Sequence, residues 1–154
     1  MKLVIIESPY AGNVERNLAY VRACMKDCLS HGEAPFASHA LYTQPGVLDD
    51  ADPAQRKLGI DAGFEWRKHA AATALYVDLG SSRGMQLGLE AAEAERKRRA
   101  AGYTPPFDHE IEFRHLPDAL LAQVLYPFRD DFKAWPRETQ DRFHAVWAAQ
   151  VLSR

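Results

Sequence analysis

The chain has 154 residues, room for one domain of the usual size of roughly 100–200 residues. Hydrophobic residues make up 47% and charged residues 26%, a balance that builds a core and excludes disorder over most of the length. The formal net charge of −2 lacks the basic excess that non-specific nucleic-acid binding requires, and no apolar run nears the roughly 20 residues that span a bilayer.

Leu3-Val4-Ile5-Ile6 is short, β-branched and followed by a turn, which predicts a buried parallel strand. A charge at Glu7 comes too soon for a secretory signal, so a cytoplasmic setting is expected. Ser8-Pro9-Tyr10-Ala11-Gly12-Asn13 reads as a loop with Asn13 as helix cap. Val14, Leu18, Val21, Met25 and Cys28 then mark one face of a helix that Gly32 closes. Cys24 and Cys28, four apart, match neither a zinc quartet nor a redox pair and read as small helix residues. Residues 34–38 predict a weaker strand, and 39–52 a loop. Asp52-Pro53 predicts a helix start, with the helix running to about His69.

Thr73 to Leu79 predicts a third strand, Gly80 to Gly84 a turn, and Met85 to Ala101 a helix with a solvated cationic end. Glu110-Ile111-Glu112-Phe113-Arg114 alternates like a half-exposed edge strand. A short helix over 119–125 and a terminal helix over 137–152 complete the order. The alternation predicts an α/β fold: a Rossmann-like three-layer sandwich with a four- or five-stranded parallel sheet. Residues 1–116 would form it, with 117–154 a helical extension packed against it.

In such sheets ligands bind beyond the carboxyl ends of the strands. The loop over Ser8, Tyr10, Ala11 and Gly12 exposes backbone N–H groups, and Tyr10 offers a ring for stacking. Ser81, Ser82, Arg83 and Gly84 precede a helix and suit a phosphate, with Arg83 supplying charge. Asp78 sits at the end of the third strand, where it would either cap a helix or meet a ligand. His39 follows the second strand at the same edge. The six histidines have no metal-ligand spacing, so no metal and no cofactor are expected.

Val4 to Gly12 with Glu15-Arg16-Asn17, the stretches Ser38 to Tyr42 and Leu48 to Asp50, and Asp78 to Met85 resemble, in order, three motifs of the nucleoside 2-deoxyribosyltransferase-like superfamily. The resemblance covers about residues 2–115 and is closest to small bacterial and phage members. It implies cleavage or transfer at the N-glycosidic bond of a nucleoside or nucleoside monophosphate, through attack by a glutamate. It also implies a phosphate role for Ser82, an assisting role for Asp78, and a base and sugar site along Ser8 to Gly12. The superfamily glutamate belongs in a segment that here reads Gly84-Met85-Gln86-Leu87-Gly88. It therefore falls on Gln86, or on Gly88 in a second alignment, and neither side chain can form a glycosyl ester. Glu90, one helical turn beyond Gln86, is the first substitute, with Glu7, Asp49 and Asp50 as other carboxylates.

Besides an oligomeric interaction protein built on the C-terminal segment, two functions of the cleft follow. One is a nucleotide N-glycosidase or deoxyribosyltransferase using a relocated carboxylate, with Glu90 and Asp78 as catalytic candidates. The other is a non-catalytic nucleotide-binding or sensing module. The partner is a nucleoside monophosphate or related small nucleotide, with no nucleic acid and no membrane. Trp135, Phe143 and Trp147 further suggest a homodimer or higher oligomer.

Overall fold

The computed structural model describes residues 1–102 and 108–152, without the side chains of residues 150 and 151. Strand β1 is Lys2–Glu7, followed by α1 over Val14–Ser30, β2 over Glu33–Phe36 and α2 over Ser38–Leu41. Then come α3 over Pro53–Arg67, β3 over Ala72–Tyr76, α4 over Arg83–Ala100 and β4 over Glu110–Arg114. The chain ends in α5 over Asp118–Leu125, a 3-10 stretch over Tyr126–Ala134, and α6 over Arg137–Leu152. The four strands form one parallel sheet in the order β2-β1-β3-β4. This is the expected α/β architecture, with four strands.

Successive strand residues face opposite sides, and that period of two sorts the layers. Val4, Ile6, Ala72, Ala74 and Tyr76 join Tyr20, Val21, Cys24 and Cys28 of α1 in one core. Leu121 and Leu125 of α5 belong to the same cluster. Each such aliphatic side chain contributes about 1.5–3 kcal/mol when fully buried. Glu7 and Thr73 point to the other face. There Arg67 of α3 donates through Nε to Thr73 Oγ1 at 3.3 Å, and Gly88 of α4 lies against Glu7. The sheet is thus covered on both sides.

Local chemistry sets the helix ends. The side chains of Asn13, Asp52 and Ser82 accept from the first-turn N–H groups of α1, α3 and α4. Gly32 takes a positive φ of +73° just beyond α1. The end of α3 is capped from α4. Arg99, held by Glu95 at 2.7 Å, donates to the carbonyls of Arg67, Lys68 and Ala70.

Three expectations need correction. The second strand runs over Glu33–Phe36 rather than 34–38, and Ser38–Leu41 is a helical turn inside the expected loop. The local bonds Leu41 N–H to Ala37 O and Tyr42 N–H to Ser38 O close that turn. The third strand stops at Tyr76, because Gly80 at φ +83° donates back to Val77 O and bends the chain. The 3-10 stretch was not anticipated. It carries Phe132, whose ring packs edge-on against Trp135 at 5.4 Å.

The extension shares the core of the sheet domain. Trp135 and Phe143 are buried within the chain. Trp147 is half-exposed and stacks on Tyr126 at 5.4 Å. Among the described residues no helix is long and apolar enough to cross a membrane.

Candidate functional site

The chain leaves β1 for β2 on one side and later returns to β3 on the other. A crevice forms at such a reversal, beyond the strands' carboxyl ends. Here it is a cleft of about 150 Å³, lined by the ends of β1 and α2, by the loop and first turns of α3, and by the start of α4. Of the expected site residues, Ser8, Tyr10, Ala11, His39, Ser82, Arg83 and Gly84 line it together. Three separate loops therefore meet at one edge of the sheet.

Five expected residues do not line the cleft. Gly12, Ser81, Gln86 and Glu90 are exposed. Gln86 instead accepts a 3.4 Å contact from Arg83 Nη1. Glu90, the first carboxylate proposed from the sequence, faces solvent on α4 because its helical position turns away from the sheet. Asp78 is buried among protein donors. It accepts from Tyr20 O–H at 2.6 Å, Leu116 N–H at 3.0 Å, His115 Nδ1 at 3.0 Å and Arg142 Nη1 at 2.5 Å. Four donors converge on this carboxylate and tie β3 to α1 and α6. Its place in the structure is a hub for the C-terminal extension.

Two carboxylates line the cleft: Asp50, which accepts from Arg56 Nη1 at 2.6 Å, and Glu7. Glu7 ends β1, on the face away from α1. Arg67 Nη2 donates to its Oε1 at 2.5 Å. Burial pushes its carboxyl up to about 7, against the opposing pull of the Arg67 charge. Arg67 is itself buried and held from behind. Its Nε donates to Thr73 Oγ1, which shares a 2.8 Å hydrogen bond with His109 Nε2. His109 Nδ1 lies 3.1 Å from the Ala70 carbonyl, which can only accept. Nδ1 is thus the donor, and in the neutral ring Nε2 accepts from Thr73 O–H. Burial lowers the His109 pKa and favours that neutral ring. A continuous hydrogen-bonded chain thereby fixes the position of Glu7.

Gly88 explains how Glu7 fits. A Cβ at position 88 would lie 2.7 Å from Glu7 Oε2 and closer still to Cδ and Oε1. The Glu7 carboxyl group occupies the volume a side chain at 88 would need. Position 88 is one of the two places where the resemblance puts a glutamate. The carboxylate at this point therefore comes from β1 instead of α4.

The polar rim has two further features. Ser8 Oγ and His39 Nε2 are 2.8 Å apart. Burial brings His39 down to about 4, so its ring is neutral at pH 7. At the other rim, Ser82 Oγ caps α4 by accepting from Met85 N–H at 3.2 Å and still has its own proton to donate. The exposed Arg83 beside it has Gln86 as its hydrogen-bonding contact among the described residues. Tyr10, Tyr42, Leu48 and Ile60 add an apolar wall. No group of three or more histidine, cysteine, aspartate or glutamate side chains is placed to hold a metal ion among the described residues. Burial raises Cys28 to about 11 and also raises Cys24 well above its ordinary value, so neither is a thiolate at neutral pH.

Sequence reasoning named Glu7 only among several carboxylates and Gly88 only as a lost glutamate position, and it did not single out Arg67. A usable signal existed: Leu3, Ile5 and Glu7 share a face by alternation, so a charge there points at a helix layer. A family model described as a domain of unknown function, DUF7768, matches residues 2–101. No curated protein and no solved structure matches.

Proposed function

The chain belongs to the DUF7768 family, a domain of unknown function, and from its cleft we propose an N-glycosidase acting on a nucleoside monophosphate. In this reading it is a distant relative of the nucleoside 2-deoxyribosyltransferase-like superfamily, with its catalytic carboxylate moved to Glu7. One observation carries the proposal. Glu7, half-buried and fixed by Arg67, lines the same cleft as Arg83 and the start of α4. The phosphate lies at Ser82, Arg83 and Gly84, where charge and backbone N–H groups favour an anion. The base lies against Tyr10 and Tyr42, and the anomeric carbon over Glu7. The sheet order and the switch-point position of the cleft support this assignment.

The direct test is chromatographic. Nucleoside monophosphates are incubated with the protein, and free base is sought. Release from at least one of them, absent in a blank, is the expected result. A second reading, binding without cleavage, is favoured by Gln86 and by the Arg67 charge that offsets Glu7. It becomes the better account if a nucleotide binds and no base appears.

Two further outcomes are expected. Arg83→Ala should weaken binding of the monophosphate about 10- to 100-fold, since a hydrogen bond to a charged group is worth about 1.5–3 kcal/mol. Calorimetry reads it, and unchanged affinity contradicts the phosphate assignment. The pH profile follows from the raised pKa of Glu7. The reactive form is the carboxylate, so kcat/KM should rise as pH increases through about 7. Stability runs the other way. The contribution of this raised pKa is complete below the ordinary value of 4.5 and is lost as pH rises to about 7. A rate independent of pH over this window contradicts a role for Glu7.

A further inference from the structure

Beside Glu7 lies a second cavity of about 40 Å³. It shares Glu7, Ser38, Ile60 and Gly84 with the cleft, so it is an annex to it. Three polar side chains line it: Glu7, Ser38 and Arg67. Two of the three donor nitrogens of the Arg67 guanidinium have partners, Nε on Thr73 and Nη2 on Glu7. Nη1 is buried and has no hydrogen-bond partner among the described residues. A buried donor of a charged group is costly unless it is satisfied.

The annex exists because two helices lack side chains there. Gly63 of α3 and Gly88 of α4 both line it. A Cβ at Gly63 would come within 2.9 Å of Ser38 Cβ and Oγ, and one at Gly88 would strike the Glu7 carboxyl. Glycine inside a helix is destabilising relative to alanine. Close approach of Ser38 and Glu7 to these helices is the gain at both positions. A water needs roughly 10–15 Å³ and two to four polar partners, and the annex offers both.

We propose that a water molecule held in this annex by Arg67, Ser38 and Glu7 is the nucleophile, which makes the protein an inverting hydrolase and not a transferase. The inference rests on the glycosidase reading above. In the step, the water oxygen forms a bond to the anomeric carbon as the bond from that carbon to the base nitrogen breaks. The bonding pair leaves with the base. Glu7 takes the proton of the attacking water through Oε2, since Oε1 is engaged by Arg67. The departing base gains a proton from solvent, and Glu7 returns its own to solvent. The sum is hydrolysis, with no other reactant. Arg67 and Ser38 are positioning residues. An attack through water from one side inverts the anomeric centre, whereas a covalent glycosyl-enzyme retains it and lets a second base act as acceptor.

The test is proton NMR of the sugar phosphate formed in the first turnovers, before mutarotation equilibrates it. The same reaction is run with a second free base present. The expected product from a β-nucleotide is the α-anomer, with no exchange of base. A β-anomer or base exchange overturns the annex water while leaving the glycosidase reading intact. Absence of base release from every nucleotide overturns both. Arg67→Lys keeps a cation beside Glu7 but removes Nη1. It should lower kcat at least about tenfold with KM unchanged. A raised KM at unchanged kcat would place Arg67 in substrate binding and overturn its role here.

Discussion

Glu7→Gln is expected to abolish base release while leaving nucleotide binding intact. Glutamine keeps the length of glutamate, and its amide oxygen still accepts from Arg67 Nη2. It cannot take a proton and cannot attack carbon. Removing a positioned general base typically costs about 10²–10⁴ in rate, and loss of a covalent nucleophile costs more. The variant should fold. Burial already pushes Glu7 toward its neutral form, so a neutral amide at this point avoids a desolvation cost the carboxylate bears. Binding should survive because the proposed phosphate and base contacts come from α4 and from Tyr10 and Tyr42. Release measured by chromatography and affinity measured by calorimetry check the two halves. Equal rates in wild type and variant would remove Glu7 from the chemistry.

Asp78→Ala is expected to destabilise the fold by about 3–5 kcal/mol, the usual cost of leaving a buried ion-pair partner unmatched. Arg142 would lose the 2.5 Å contact, and Tyr20 O–H and Leu116 N–H would lose their acceptor. Domains hold only about 5–15 kcal/mol in total, so this is a large share. At roughly 2–4 °C per kcal/mol the Tm should fall by about 6–20 °C. Denaturant unfolding measures the change directly. Below the transition, nucleotide affinity should match wild type, since Asp78 does not line the cleft. A loss under about 1 kcal/mol together with a large loss of affinity would restore Asp78 to the binding site.

The sheet was legible because strands buried on both faces must be apolar. Leu3 to Ile6 announces β1, and the caps Asn13 and Asp52 announce α1 and α3. Boundaries failed where local bonds outweighed composition. Val77 and Leu79 look like strand residues, yet the turn at Gly80 ends β3 before them. At the site, the loops were legible by their glycines, serines and position. Which carboxylate lines the cleft at the end of β1 was not, because Asp78 and Glu90 stand out by motif position. Their environments depend on tertiary partners such as Arg142, 64 residues beyond Asp78. Gly88 looked like a lost catalytic residue. Only the approach of Glu7 from β1 shows that it is space kept for a carboxylate from another element.

The claim at the centre of this account is that Glu7 acts at the anomeric carbon of a nucleotide held by Arg83. A crystal structure of the Glu7→Gln variant, soaked with a nucleotide that wild type cleaves, tests it most directly. The expected result places the phosphate at Ser82, Arg83 and Gly84. The anomeric carbon then lies in contact with residue 7 or one water molecule away. A nucleotide bound with its phosphate elsewhere, or with its sugar pointing out of the cleft away from residue 7, would contradict the account.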